Sequence, residues 1–195
     1  MNIPNRITVA RLALAVVLFI LLGYLDAEPS AGWGWTVVAG IVFVIAAASD
    51  ALDGYLAREL GQVTDFGRVT DPVVDKVVIC GSFIFLTASS WARPLLPPWV
   101  VVIVVGREFL VTGIRGLLEV RGVPFGASWA GKGKMLSQCF TVPGILAVRV
   151  CDMTLPSLSS AARWLALALV TLTVAMTLLS GATYMARAVR LLRHE

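Results

Sequence analysis

Four aspartates fall on helical spacings within one short stretch. Asp50 and Asp53 are three residues apart and Asp71 and Asp75 are four apart, so each pair lines one side of a helix. Asp65 and Glu59 lie between them, and apolar runs long enough to enter a bilayer flank the stretch on both sides. Carboxylates at the ends of membrane helices are costly unless something pairs them. The partner that suits four clustered carboxylates is a hard divalent cation, or two. A pair of Mg²⁺ or Mn²⁺ ions about 3.5–4 Å apart would satisfy them and clamp a phosphoryl group in transfer. The residues between the aspartates agree with a diphosphate site. Gly54 and Ala57 lie one turn apart and clear a patch of helix surface for a flat ligand. Gly67 permits a tight turn or a close backbone approach, and Arg58 is placed to meet phosphate. The competing reading is that these aspartates merely cap helices and face water.

The elements that must position these groups are membrane helices. The chain has 195 residues, of which 58% are hydrophobic and only 14% charged, and its mean hydropathy is +0.85. A soluble domain carries about 25% charged residues. Composition therefore indicates an all-α integral membrane protein, and the length suits a single domain spanning 1–195. A net charge of +4 does not point to nucleic acid, because in a membrane protein the placement of Lys and Arg carries the information. Cys80, Cys139 and Cys151 are odd in number and far apart, which gives neither a disulfide framework nor a zinc spacing. The lone histidine, His194, sits in a basic tail and suggests no ligand role.

Taken in order, residues 1–11 predict a short interfacial helix leading into a first span over about 12–25. A signal peptide is the alternative for this basic start. Span two runs from about Trp33 into the aspartate motif at 50–75. Span three has two possible starts. Either Asp71 caps it with Pro72 at the first position, or it begins near Phe66 with Pro72 inside its first turns. It ends near Ser90. Span four runs from about Trp99 to Leu118 and meets Arg107 and Glu108 on the way. Span five covers about 135–150 with a kink expected at Pro143, and span six about 161–186. Six spans put both termini on one side. Of the 16 Lys and Arg residues, 13 fall on that side, so the termini and the aspartate motif are expected in the cytoplasm.

The array Asp50-x2-Asp53-Gly54-x2-Ala57-Arg58-x8-Gly67-x3-Asp71-x3-Asp75 resembles the signature of the CDP-alcohol phosphatidyltransferase family, with every position and gap filled. A weaker likeness runs through the rest of the chain. MNIPNRITVAR at the start, GREFLVTGIRG at 106–116 and ASWAGKGKMLSQ at 127–138 resemble the bacterial phosphatidylglycerophosphate synthase branch. Ser49 and Met135 depart from that branch, where Thr is common, but neither change removes a charge.

The resemblance implies a six-helix CDP-alcohol phosphotransferase fold, homodimeric, in the bacterial inner membrane with the metal site at the cytoplasmic face. It implies transfer of the phosphatidyl group from CDP-diacylglycerol to sn-glycerol 3-phosphate. In it Asp50, Asp53, Asp71 and Asp75 hold two divalent cations, Asp75 also acts as general base, and Gly54, Ala57, Arg58 and Gly67 border the CDP moiety. Asn5, Thr8 and Arg11, which share a helix side, are further candidates for holding the CDP head group. Such an acceptor carries its own phosphate and needs a second cationic pocket. The candidates are Arg107, Arg115, Lys132 and Lys134, against the alternatives of an Arg107–Glu108 pair and of ordinary cytoplasmic loop charge at the lysines.

Direct in-line attack is expected, since no Ser, Cys or His accompanies the motif as an obvious covalent nucleophile. Another acceptor, namely inositol phosphate, phosphatidylglycerol or serine, is the nearest competing function. A cation transporter or a membrane scaffold is a more distant one. Acids deep in the bilayer would favour transport, but Asp26, Glu28 and Asp152 belong to the outer loops.

Overall fold

The computed structural model describes residues 3–59, 65–121 and 129–193, with side chains described at 8–49, 73–118, 120–121 and 129–191. Among the described residues there are six helices and no strand. They are α1 (Ile3–Ala27), α2 (Trp33–Glu59), α3 (Asp65–Ala88), α4 (Pro98–Val120), α5 (Trp129–Thr154) and α6 (Pro156–Arg193).

The separate interfacial helix expected over 1–11 is not found: α1 is continuous from Ile3. Pro4 falls in its first turn, where a missing N–H is harmless, and nothing in Asn5–Leu22 breaks the helix. Thr8 and Arg11 are buried on it. Of the two possible starts for the third helix, the earlier one is observed, so Pro72 lies within α3 and Asp71 is not its cap. The last two helices outrun their expected spans at both ends.

The core draws buried residues from all six helices, most of them from α1, α2, α3 and α5. α1 lies against α2 and α3, α5 against α6 and α2, and α4 against α6 and α3. Leu18, Leu22, Phe43, Phe83 and Leu86 are fully buried. The rings of Phe19 and Phe85 stack with centroids 5.1 Å apart, and Gly81 faces Phe19 where α1 and α3 come close. Thr141 and Thr173 share a 2.8 Å hydrogen bond between α5 and α6. The outer surface reverses the soluble pattern: Val102, Phe109 and Trp164 are 71%, 73% and 73% exposed, while Ser82, Ser137, Gln138, Thr177 and Ser180 are buried. Apolar faces this extensive mark a surface that meets lipid or other protein.

One end of the bundle is tied by polar links. Ser90 donates its backbone N–H to Asp26 Oδ1 at 2.9 Å. Arg149 donates to the Pro29 carbonyl at 3.4 Å and lies over the Trp91 ring at 4.9 Å. The α5–α6 corner is a single residue, Leu155, with Pro156 opening α6 as its first residue. Arg163 bridges back to Asp152 at 2.7 Å across it. These ties fix the relative register of the helices whose other ends carry the charged residues.

Among the described residues, two helices are long and apolar enough to cross a membrane, α1 over Thr8–Ala27 and α6 over Pro156–Leu191. The apolar part of α2, Trp33–Ser49, is shorter. In α3, α4 and α5 the apolar runs are interrupted by Asp75 and Lys76, by Arg107 and Glu108, and by Lys132, Lys134 and Arg149. At 1.5 Å per residue, helices of 23 to 38 residues are nonetheless long enough for a hydrocarbon core about 30 Å thick.

Candidate active site

Asp75 stands one turn beyond Asp71 on α3, and its side chain lines a cavity of about 390 Å³. Lys76 follows it on the same wall. The second wall is α4, which contributes Arg107, Val111 and Arg115 at four-residue intervals and Glu108 and Thr112 beside them. Residues at i, i+4 and i+8 share a helix side, so this run forms a continuous strip. The third wall is the first turns of α5, with Gly131, Lys132, Lys134 and Met135, and Tyr184 closes the space from α6. The cavity exists because α4 and α5 do not pack on each other among the described residues, although both pack on α6 and α3.

All four candidate phosphate-binding residues, Arg107, Arg115, Lys132 and Lys134, thus line the same cavity as Asp75. They are held differently. Lys134 is buried and its Nζ lies 2.5 Å from Glu108 Oε1. Arg107 Nη1 lies 3.2 Å from the same carboxylate oxygen, Nη2 donates to Ser180 Oγ, and the guanidinium sits over the Tyr184 ring at 5.3 Å. Lys132 is exposed, with its ammonium 5.0 Å from the Trp129 ring centroid. Arg115 is exposed and makes no hydrogen bond or ion pair among the described residues. Among the described residues, five cationic side chains and two carboxylates face the space. Positive potential focused in a low-dielectric cleft attracts anions.

A smaller space of about 10 Å³ continues inward, bounded by Asp75, Lys76, Ile79, Cys80, Glu108, Lys134, Met135 and Gln138. It is the size of a single water. On the outer side, Arg107 also borders an apolar groove of about 420 Å³ between α4 and α6, lined by Val102, Gly106, Leu110, Leu178 and Met185. One side chain therefore borders both a polar cavity and an apolar surface.

The remaining expected residues lie on the helices that meet across 60–64. Asp50, Asp53, Gly54, Ala57 and Arg58 fall in the C-terminal part of α2, and Gly67 and Asp71 in the N-terminal part of α3. The two helices are in contact. The side chains of these seven residues, and of Asn5, lie outside the described residues. Among the described residues no group of three potential metal ligands occurs. Asp75 is the one member of the aspartate set whose side chain is described. The donor set as a whole is carboxylate oxygen, which matches a hard divalent cation and not a thiophilic metal. Thr8 and Arg11 do not line the cavity.

Sequence reasoning missed several residues here. Lys76 had a signal in its adjacency to Asp75. Tyr184 and Ser180 had none, since they sit in an apolar helix far along the chain and reach Arg107 only through packing. The sequence marks Glu108 as a partner of Arg107 alone, whereas it also holds Lys134.

Comparison with known proteins gives the same direction. The family model for CDP-alcohol phosphatidyltransferase matches residues 1–179. The CDP-diacylglycerol–glycerol-3-phosphate 3-phosphatidyltransferase of Bacillus subtilis strain 168 is 35% identical over 151 residues, covering 74% of this chain and 76% of the relative. A probable phosphatidylglycerophosphate synthase of Mycobacterium tuberculosis H37Rv is 35% identical over 189 residues, covering 97% and 82%. The Pseudomonas fluorescens protein named CDP-diacylglycerol–glycerol-3-phosphate 3-phosphatidyltransferase is 44% identical over 116 residues, covering 59% and 55%.

Proposed function

The chain belongs to the CDP-alcohol phosphatidyltransferase family, and from that premise we propose that it transfers the phosphatidyl group of CDP-diacylglycerol to sn-glycerol 3-phosphate, giving phosphatidylglycerophosphate and CMP. The observation that carries this reading is the company Asp75 keeps: one cavity holds a carboxylate on the aspartate motif and the cations Arg107, Arg115, Lys132 and Lys134. A phosphorylated acceptor uses such a cluster. Serine or another acceptor without a phosphate leaves it without a partner.

In this reading the acceptor's phosphate enters against Arg115 and Lys132, with Arg107 and Lys134 behind. Its primary hydroxyl is turned toward Asp75. Asp75 takes the hydroxyl proton as the oxygen attacks the phosphatidyl phosphorus in line. The new oxygen–phosphorus bond forms, the bond from that phosphorus to the CMP oxygen breaks, and CMP leaves with the electron pair. Positioning and charge neutralisation dominate such transfers. Two Mg²⁺ or Mn²⁺ ions held by Asp50, Asp53, Asp71 and Asp75 would neutralise charge on the diphosphate. Gly54, Ala57, Arg58 and Gly67 would border the cytidine diphosphate moiety.

The setting is a bacterial inner membrane, with six spans, both termini and the cavity cytoplasmic, and the protein a homodimer. The bias of basic residues supports the orientation. The cavity cations and the basic end of α6, with Arg187 and Arg190, lie at one end of the helices, and Arg93 and Arg149 at the other. The donor's acyl chains remain in lipid while its diphosphate reaches the interface. CMP release by the purified protein in detergent, with Mg²⁺, CDP-diacylglycerol and one acceptor at a time, tests the assignment. Release with sn-glycerol 3-phosphate alone is expected. Release with inositol phosphate, serine or phosphatidylglycerol instead overturns the acceptor and keeps the chemistry.

A further inference from the structure

We propose that Ser180 and Tyr184 on α6 are positioning residues for the acceptor's phosphate, acting through Arg107. This rests on the reading above that Arg107 lines the pocket for that phosphate, behind Arg115 and Lys132. Ser180 and Tyr184 are four residues apart and so share one side of α6, the side that packs on α4. Ser180 is fully buried and Tyr184 is 4% exposed. Ser180 Oγ accepts from Arg107 Nη2, and the Tyr184 ring lies beneath the guanidinium at 5.3 Å. Between them Gly181 lies against the stem of Arg107, where a Cβ would be in ordinary van der Waals contact, 3.5 Å from Arg107 Cγ. Glu108 holds Nη1 from the third side at 3.2 Å.

A guanidinium on a flexible stem gains little by binding an anion if it must first be ordered. Here the hydroxyl, the ring and the carboxylate fix its plane before any ligand arrives. Arginine carries five N–H donors, and these partners engage only two of them, on Nη1 and Nη2. α6 therefore sets the aim of an α4 side chain. Ser180 and Tyr184 should govern recognition of the acceptor and not of the cytidine donor.

The test measures the KM of each substrate separately for the wild type, Ser180→Ala, Tyr184→Leu, Arg107→Ala and the double variant Arg107→Ala/Ser180→Ala. Ser180→Ala and Tyr184→Leu are expected to raise the KM for sn-glycerol 3-phosphate about tenfold and to leave the KM for CDP-diacylglycerol unmoved. In the Arg107→Ala background, Ser180→Ala is expected to add nothing further, since residues acting as one unit are not additive. A merely structural role gives the opposite pattern. Both KM values would then rise together, or Ser180→Ala would add its full effect to Arg107→Ala, and either result overturns the proposal. A wild type that turns over with no phosphorylated acceptor overturns the acceptor reading itself, which the wild-type arm reveals before any variant is compared.

Discussion

Lys134 Nζ and Glu108 Oε1 meet at 2.5 Å between α5 and α4, two helices that do not otherwise pack on each other among the described residues. The contact therefore spans the cavity instead of sealing an interface. Both side chains are about nine-tenths buried. The same carboxylate oxygen reaches Arg107, so one anion neutralises part of a cavity wall that would otherwise be densely cationic. That leaves Arg115 and Lys132 as the cations nearest the open side, and Glu108 as the anion that bridges the inner pair.

Glu108→Gln is expected to destabilise the protein. It leaves Lys134 and Arg107 facing each other with no anion between them in a poorly hydrated wall. Removing one partner of a buried pair costs about 3–5 kcal/mol. Thermal unfolding in detergent reads this as a lowered melting temperature. Adding Lys134→Met to Glu108→Gln is expected to recover part of the loss, because the stranded cation goes too. Strictly additive losses from the two substitutions would mean that the pair is not coupled.

Arg115→Ala is expected to raise the KM for sn-glycerol 3-phosphate more than Lys132→Ala does. Arg115 makes no hydrogen bond or ion pair among the described residues, so its donors are available to a phosphate. Losing a hydrogen bond to a charged group costs about 1.5–3 kcal/mol, which is roughly ten- to more than hundredfold in affinity. Lys132 is already engaged over Trp129 at an exposed position, where such a contact is worth about 0.5–1 kcal/mol. Steady-state kinetics with the donor saturating would show the order. A larger effect from Lys132 would move the phosphate toward the mouth of the cavity.

The chemistry was legible in the sequence for a physical reason. Arg107 is legible because a charge inside an apolar helix must have a use, while Lys132 and Lys134, at the entry of span five, are candidates because a phosphorylated acceptor needs cations; the structure brings all three to one cavity with Asp75. Helix ends were less legible. A change from apolar to polar marks where a helix leaves the hydrocarbon and not where it stops, which is why α5 runs from Trp129 to Thr154 and α6 reaches Arg193. The same argument explains α1: Asn5, Arg6 and Arg11 are polar, yet they are the opening turns of the helix that continues to Ala27. Ser180 and Tyr184 could not have been found by spacing, because only the packing of α6 on α4 gives them a role.

Gly81→Ala is expected to destabilise the α1–α3 contact. A Cβ at this position would collide with the Phe19 ring, which is itself stacked on Phe85 at 5.1 Å. The ring cannot move away without breaking that stack. Overpacking of this kind costs about 1–3 kcal/mol, seen as a drop in melting temperature. By contrast Gly133→Ala meets, among the described residues, the end of the Met176 side chain, a flexible end that can turn aside, and is expected to cost less. Equal losses at the two sites would mean that Phe19 has room to shift.

Asp75→Asn is expected to lower CMP release by about 10²- to 10⁴-fold, the usual contribution of a positioned general base. Asn keeps the size of the side chain and removes the charge and the proton acceptor. The same residue is assigned to the metal site, so a second readout is needed to separate the two roles. Mg²⁺ bound to the folded protein raises its melting temperature, by about 2.7 kcal/mol of stability at a hundred times the dissociation constant. In the wild type this shift is expected, and a chelator should abolish both the shift and the activity, with Mg²⁺ or Mn²⁺ restoring them. In Asp75→Asn the shift is expected to shrink, while Asp50→Asn and Asp53→Asn should reduce it as well. An Asp75→Asn protein with a full Mg²⁺ shift and no activity would make Asp75 the base alone. Full activity in that variant would remove it from the mechanism.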